Sequence, residues 1–117
     1  MLNTLTRRLL PLSSLAVAFA LTGATSAAAQ DAKHGEAVYA AQKCSMCHAI
    51  AGKGKAANPL DGVGAKLSAA DIKQWIVDPK GMTTKSGSTK KPPMPAKYAG
   101  LPAADLDALV AYLASLK

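Results

Sequence analysis

Aromatic residues are scarce in this chain: one Trp, one Phe and three Tyr among 117 residues. A core built from its own side chains alone would be thin. Acidic residues are few as well, seven against fourteen Lys and Arg. No acid–base pair or nucleophile constellation of the kind hydrolytic enzymes use is evident. With two cysteines and two histidines in all, a zinc site at Cys44, Cys47 and His48 would have only His34 left to complete it. No segment alternates apolar and polar residues as a half-buried strand does, which excludes the βαβ framework of a thioredoxin-type dithiol protein. No repeat or second domain is visible. The loops lack the interleaved aromatics that stack nucleic-acid bases. Long apolar runs are missing too: Leu9 to Leu21 is short of the ~20 residues that span a bilayer.

That short run has its own meaning. Arg7 and Arg8 precede it, and small residues ending Ala27-Ala28-Ala29 follow it. A basic start, a short apolar stretch and an A-x-A site are the pattern of a cleaved secretory leader. Residues 1–29 are therefore expected to be removed and residues 30–117 to form one domain; an uncleaved membrane anchor is the alternative. The remaining 88 residues carry twelve lysines against seven acids, a net charge of +5. A domain of this size buries only about 60% of its unfolded surface and is marginal without a staple.

Four segments follow. Asp31 to Lys43 is rich in helix formers and runs directly into Cys44-Ser45-Met46-Cys47-His48. Ala49 to Leu67, dense in Gly, Pro and Asn, predicts a loop with little regular structure. Ser68 to Val77 predicts a helix: Ser68 is placed to cap it, Asp71 lies in the first turn, and Ile72, Trp75 and Ile76 share one face. Asp78-Pro79 is expected to end it. The fourth opens with a second loop, Lys80 to Gly100, holding Met82 and Met94. The last helix is expected from about Pro102 to Leu116, with Leu106, Leu109, Val110, Leu113 and Leu116 as its apolar stripe. Loops this long usually have a function or wrap something.

Cys-Ser-Met-Cys-His is a C-x-x-C-H sequence, the haem c attachment motif. Each thiol adds across one porphyrin vinyl group to form a thioether, and two intervening residues let both sulfurs reach neighbouring pyrroles. The next residue, His48, then falls under the iron. A buried porphyrin also supplies the apolar surface that the composition lacks. The second iron ligand has few candidates. Met46, between the two anchors, stays on the His side. Met94 lies between prolines in Lys91-Pro92-Pro93-Met94-Pro95, which presets its loop. Met94 is the expected ligand; Met82, His34 or an open position are the alternatives. A thioether favours Fe(II) and raises the potential relative to two histidines.

The chain resembles class I cytochromes c. The residues that carry the resemblance are Gly35-Glu36-x-x-Tyr39, CSMCH, Asn58-Pro59-Leu60 with Gly62 and Gly64, Trp75-Ile76-x-Asp78-Pro79, Met94-Pro95 and Leu109-Val110-Ala111-Tyr112-Leu113. It implies an all-α fold of three to four helices wrapped around one covalently bound haem, with the first and last helices crossing at right angles. Gly35 would permit their close approach, with Tyr39 near Tyr112. Pro59 would offer its carbonyl to the ring N–H of His48, and Trp75 would sit near the haem. The interval from Pro79 to Met94 is longer than is usual in the family, so Lys80 to Pro93 would form an enlarged loop.

The expected function is one-electron transfer in the periplasm by a monomeric, non-enzymatic shuttle with no small-molecule substrate. Lys85, Lys90, Lys91 and Lys97 flank Met94, and Lys53, Lys55 and Lys66 lie in the other loop. Around an exposed haem edge they would steer acidic redox partners. The competing expectations are a haem c subunit of an oxidoreductase or terminal oxidase, a five-coordinate gas-binding haem protein, and a thiol–disulfide protein without haem.

Overall fold

The computed structural model describes residues 25–117. Of the expected leader, residues 1–24 lie outside the described residues. The first helix, α1 (Thr25–Ala41), starts six residues earlier than expected, within an Ala-rich run that favours helix. It stops at Lys43, whose backbone is left-handed (φ 56°). A 3₁₀ turn over Cys44–Met46 follows, closed by hydrogen bonds from the Cys47 and His48 N–H groups to the Cys44 carbonyl.

The segment expected to be loop holds more structure than its composition suggests. Two-residue strands β1 (Ala49–Ile50) and β2 (Lys53–Gly54) pair antiparallel, Ala49 with Gly54 and Ile50 with Lys53. The connecting Ala51 and Gly52 both have positive φ, as a two-residue hairpin of this twist requires. Asp61 Oδ1 accepts a 2.7 Å bond from the Ala51 N–H and holds the turn. A Cβ on Gly54 would collide with the His48 carbonyl oxygen and lie 2.9 Å from that of Ser45. Glycine there lets the hairpin close onto the Cys44–His48 turn. Further on, α2 (Val63–Lys66) is a single turn.

Helix α3 (Ala69–Val77) forms as its sequence predicts, with Ser68 Oγ accepting from the Asp71 N–H at 3.1 Å. Asp78-Pro79 ends α3 but also begins α4 (Pro79–Ser86), in what was expected to be loop. Asp78 Oδ1 accepts from the Gly81 N–H at 3.0 Å, and Pro79 occupies the first turn, where its missing N–H costs nothing. Gly87, left-handed at φ 67°, closes the helix. A second 3₁₀ turn spans Ala96–Gly100, and α5 (Ala103–Ser115) completes the fold. The all-α expectation therefore holds, with five helices and one small hairpin among the described residues.

The core lies where α1 and α3 pack on α5. It comprises Val38 and Tyr39 of α1, Ile72 and Ile76 of α3, and Leu106, Leu109, Val110 and Leu113 of α5. Gly35 is the point of closest approach between α1 and α5. A Cβ there would overlap the Ala108 carbonyl oxygen and stand 2.5 Å from Tyr112 Cβ. Beside it the Tyr39 and Tyr112 rings meet edge to face, their centroids 6.0 Å apart. His34 Nε2 and Asp105 Oδ1 pair at 2.9 Å across the same two helices. No helix of the described residues is long and apolar enough to cross a membrane.

Candidate functional site

The core has an open side. Ile72, Ile76, Leu109 and Leu113 belong to it and also line a hollow of about 180 Å³, together with Leu60, Val63, Leu67 and Trp75. Cys44, His48 and Met94 reach the same hollow. A second hollow, of about 280 Å³, shares Cys44, His48, Trp75 and Met94 with the first and adds Cys47, Lys43, Lys90, Tyr98 and the prolines around Met94. The four residues singled out in the sequence thus meet at one place. Met46 is turned away, 70% exposed. Met82, on α4, and His34, paired with Asp105, line neither hollow.

Local structure sets the donor atoms. Cys44 and Cys47 are both unpaired thiols. The 3₁₀ turn leaves Cys44 half-buried and Cys47 exposed. Burial is the main cause that pushes the Cys44 thiol above its ordinary pKa, with Cys47 adding to it and Lys97 opposing. It therefore stays protonated at neutral pH. His48 is shifted the other way. Burial chiefly, and Lys90 to a lesser extent, hold its imidazole below the usual value, while the hydrogen bond to Asn58 opposes them. A carbonyl only accepts, so the 3.2 Å contact between His48 Nδ1 and the Asn58 oxygen fixes the proton on Nδ1. Nε2 is left with a free lone pair, the form in which histidine binds a metal.

The acceptor corrects an expectation, since it is Asn58 and not Pro59. Ala49 and Pro59 form a parallel bridge, in which the Ala49 N–H donates to Asn58 O and the Leu60 N–H to Ala49 O. Carbonyls alternate in direction along an extended segment, so Asn58 faces the CSMCH turn and Pro59 faces away. Sequence reasoning also missed the Asn58 side chain, whose Nδ2 donates to the Cys47 carbonyl at 3.2 Å. Asn58-Pro59-Leu60 was conspicuous, but which carbonyl points inward depends on pairing with Ala49 that no local pattern announces.

Two thiols three positions apart, an imidazole with one free nitrogen, a thioether and an apolar floor fit a haem c chemically, and the porphyrin's apolar faces match the Leu, Ile and Val walls. The family model for cytochrome c matches residues 32–117. The chain belongs to the cytochrome c family. Cytochrome c domains hold haem c covalently and carry electrons. Members of the family are usually exported. The chain is also similar to cytochrome c oxidase subunit 2 of Alkalihalophilus pseudofirmus (strain ATCC BAA-2126 / JCM 17055 / OF4). The identity is 35% over 95 residues, covering 74% of this cytochrome c and 26% of that protein. The chain thus spans about a quarter of that relative's length. No solved structure matches it.

Proposed function

We propose that this cytochrome c is a diffusible one-electron shuttle of the periplasm, a monomer freed from its leader near Ala29, rather than an enzyme. It carries one haem c, bound through Cys44 and Cys47, with His48 and Met94 as iron ligands. The observation that carries the reading is that these four side chains, with Met94 distant in sequence from the rest, line one hollow, and that three of them, Cys44, His48 and Met94, also line the adjoining apolar one. Bound haem supplies a reversible Fe(III)/Fe(II) couple; the protein's residues do the rest. Asn58 orients His48 through Nδ1. Leu60, Val63, Ile72, Ile76 and Leu109 line the apolar hollow and would exclude water from a haem held there. Lys43 and Lys90 line the second hollow, where lysine charge would attract acidic partners.

Visible spectra of wild type, Met94→Ala and Met82→Ala test the ligand set. A methionine–iron charge-transfer band in wild type and Met82→Ala, lost in Met94→Ala, is expected. Its survival in Met94→Ala would transfer the role elsewhere. Mass spectrometry of matured protein should find one haem and no free thiol.

The likeness to an oxidase subunit favours a second reading, in which this domain delivers electrons within a larger oxidase. Stable co-purification with an oxidase complex would support it over the shuttle. A five-coordinate spectrum that shifts readily with carbon monoxide would favour gas binding.

A further inference from the structure

Lys90 lies four residues before Met94, yet its ammonium rests on the opposite loop. Its Nζ donates to Asn58 Oδ1 at 2.9 Å and to the Ala57 carbonyl at 3.2 Å. Asn58 in turn holds the CSMCH turn at two points: Nδ2 on the Cys47 carbonyl, and its own carbonyl on His48 Nδ1, each at 3.2 Å. One asparagine therefore joins the loop that bears Met94 to the ring of His48. The ion pairs among the described residues are His34–Asp105 and Lys73–Asp107, so no carboxylate neutralises Lys90. Both of its acceptors are neutral amide oxygens, which hold the ammonium in place without cancelling its charge.

The consequence is electrostatic. Fe(III) taking up one electron becomes Fe(II), and the site loses one unit of positive charge. A cation fixed beside the ligand loop opposes the more positive state. We propose that Lys90 is a positioning residue that, through Asn58, anchors the His48 loop and biases the site toward its reduced form. Lys90 is solvent-exposed, so salt screens part of its charge and the bias should shrink as ionic strength rises, while its two contacts keep that charge in one place.

The inference rests on His48 being an iron ligand, and the test separates the two. Spectroelectrochemical titrations of holoprotein compare wild type, Lys90→Arg, Lys90→Gln, Asn58→Ala and the Lys90→Gln/Asn58→Ala double variant. In Lys90→Gln the reduction constant should fall about threefold, which is about 28 mV at 59 mV per tenfold change. Lys90→Arg should keep the wild-type potential, because arginine keeps the charge and can reach the same oxygens. Asn58→Ala releases the ammonium and should shift the potential in the same direction. The double variant should fall short of the sum of the two single shifts, since both changes break the Lys90–Asn58 contact. A wild-type potential in Lys90→Gln, a fall in Lys90→Arg equal to that in Lys90→Gln, or additive shifts in the double variant would each overturn the proposal. If wild-type holoprotein lacks a low-spin histidine-ligated spectrum, the ligand assignment has failed instead.

Discussion

Gly35→Ala opposes two physical effects whose signs differ, which makes it a strong probe of the α1–α5 contact. By helix propensity alone, replacing a mid-helix glycine with alanine stabilises by about 1 kcal/mol. By packing, the new methyl has no room. It would stand 2.5 Å from Tyr112 Cβ and 2.7 Å from the Ala108 carbonyl carbon, and nearer still to that oxygen. Carbon atoms in contact prefer about 3.5–4.0 Å, so the overlap is roughly 1 Å or more. The obstacles on α5 are backbone and Cβ atoms, which no rotamer change can remove. The helices must part, disturbing Val38, Tyr39, Leu109 and Leu113 together. Overpacking typically costs about 1–3 kcal/mol, and this site belongs at the upper end. A domain of this size loses about 4–8 °C per kcal/mol, so a net loss of about 2 kcal/mol lowers Tm by roughly 8–16 °C. Circular dichroism at 222 nm on the holoprotein measures it. Ala108→Gly should not rescue the variant, because the carbonyl and not the side chain blocks the methyl. A Tm equal to or above wild type would refute the close approach of α1 and α5.

Tyr39 makes a prediction in pH. Its hydroxyl is buried with no hydrogen-bond partner, and burial, ahead of Cys44, Tyr112 and Asp61, pushes its pKa up to about 12 from 10. The folded value lies above the unfolded one, so this contribution is complete below pH 10 and is lost as pH rises toward 12. Tyr39→Phe should flatten the stability profile in that window and cost little at pH 7, as alkaline denaturation curves would reveal. Ser68→Ala removes the cap of α3 and should cost about 1 kcal/mol in urea unfolding. Asp78→Ala removes the cap of α4 and should cost a similar amount; no change would mean that α4 does not need it. Electron transfer to an acidic partner should slow as ionic strength rises from 10 to 300 mM, and stopped-flow rates that ignore salt would count against lysine steering.

Legibility in the sequence followed the length and polarity of each element. Helices α3 and α5 announced themselves through apolar residues at helical spacing and, for α3, through Ser68. Helix α4 stayed hidden because Pro79-Lys80-Gly81-Met82-Thr83-Thr84-Lys85-Ser86 has no apolar stripe. Asp78-Pro79 reads as a stop, although an acid before a proline caps the next helix as readily as it ends the last. The hairpin escaped notice since two residues per strand cannot display alternation. At the site, Cys44, Cys47, His48 and Met94 stand out in the sequence because haem attachment and ligation would restrict residue type, and the fold brings the four to one hollow. The placement of Asn58 and Lys90 was not legible there, because it arises from contacts 10 to 33 residues apart in the chain.

The fit of Gly35 against Ala108 and Tyr112 also governs when the chain can become compact. The helix that α1 needs as its partner, α5, is made after all the other described elements. Until α5 emerges, Val38 and Tyr39 have no surface to bury against, and closing so long a loop precedes any reward from the contact. On this order of synthesis the thiols of Cys44 and Cys47 emerge well before α5, and are open to modifying machinery until that helix is made.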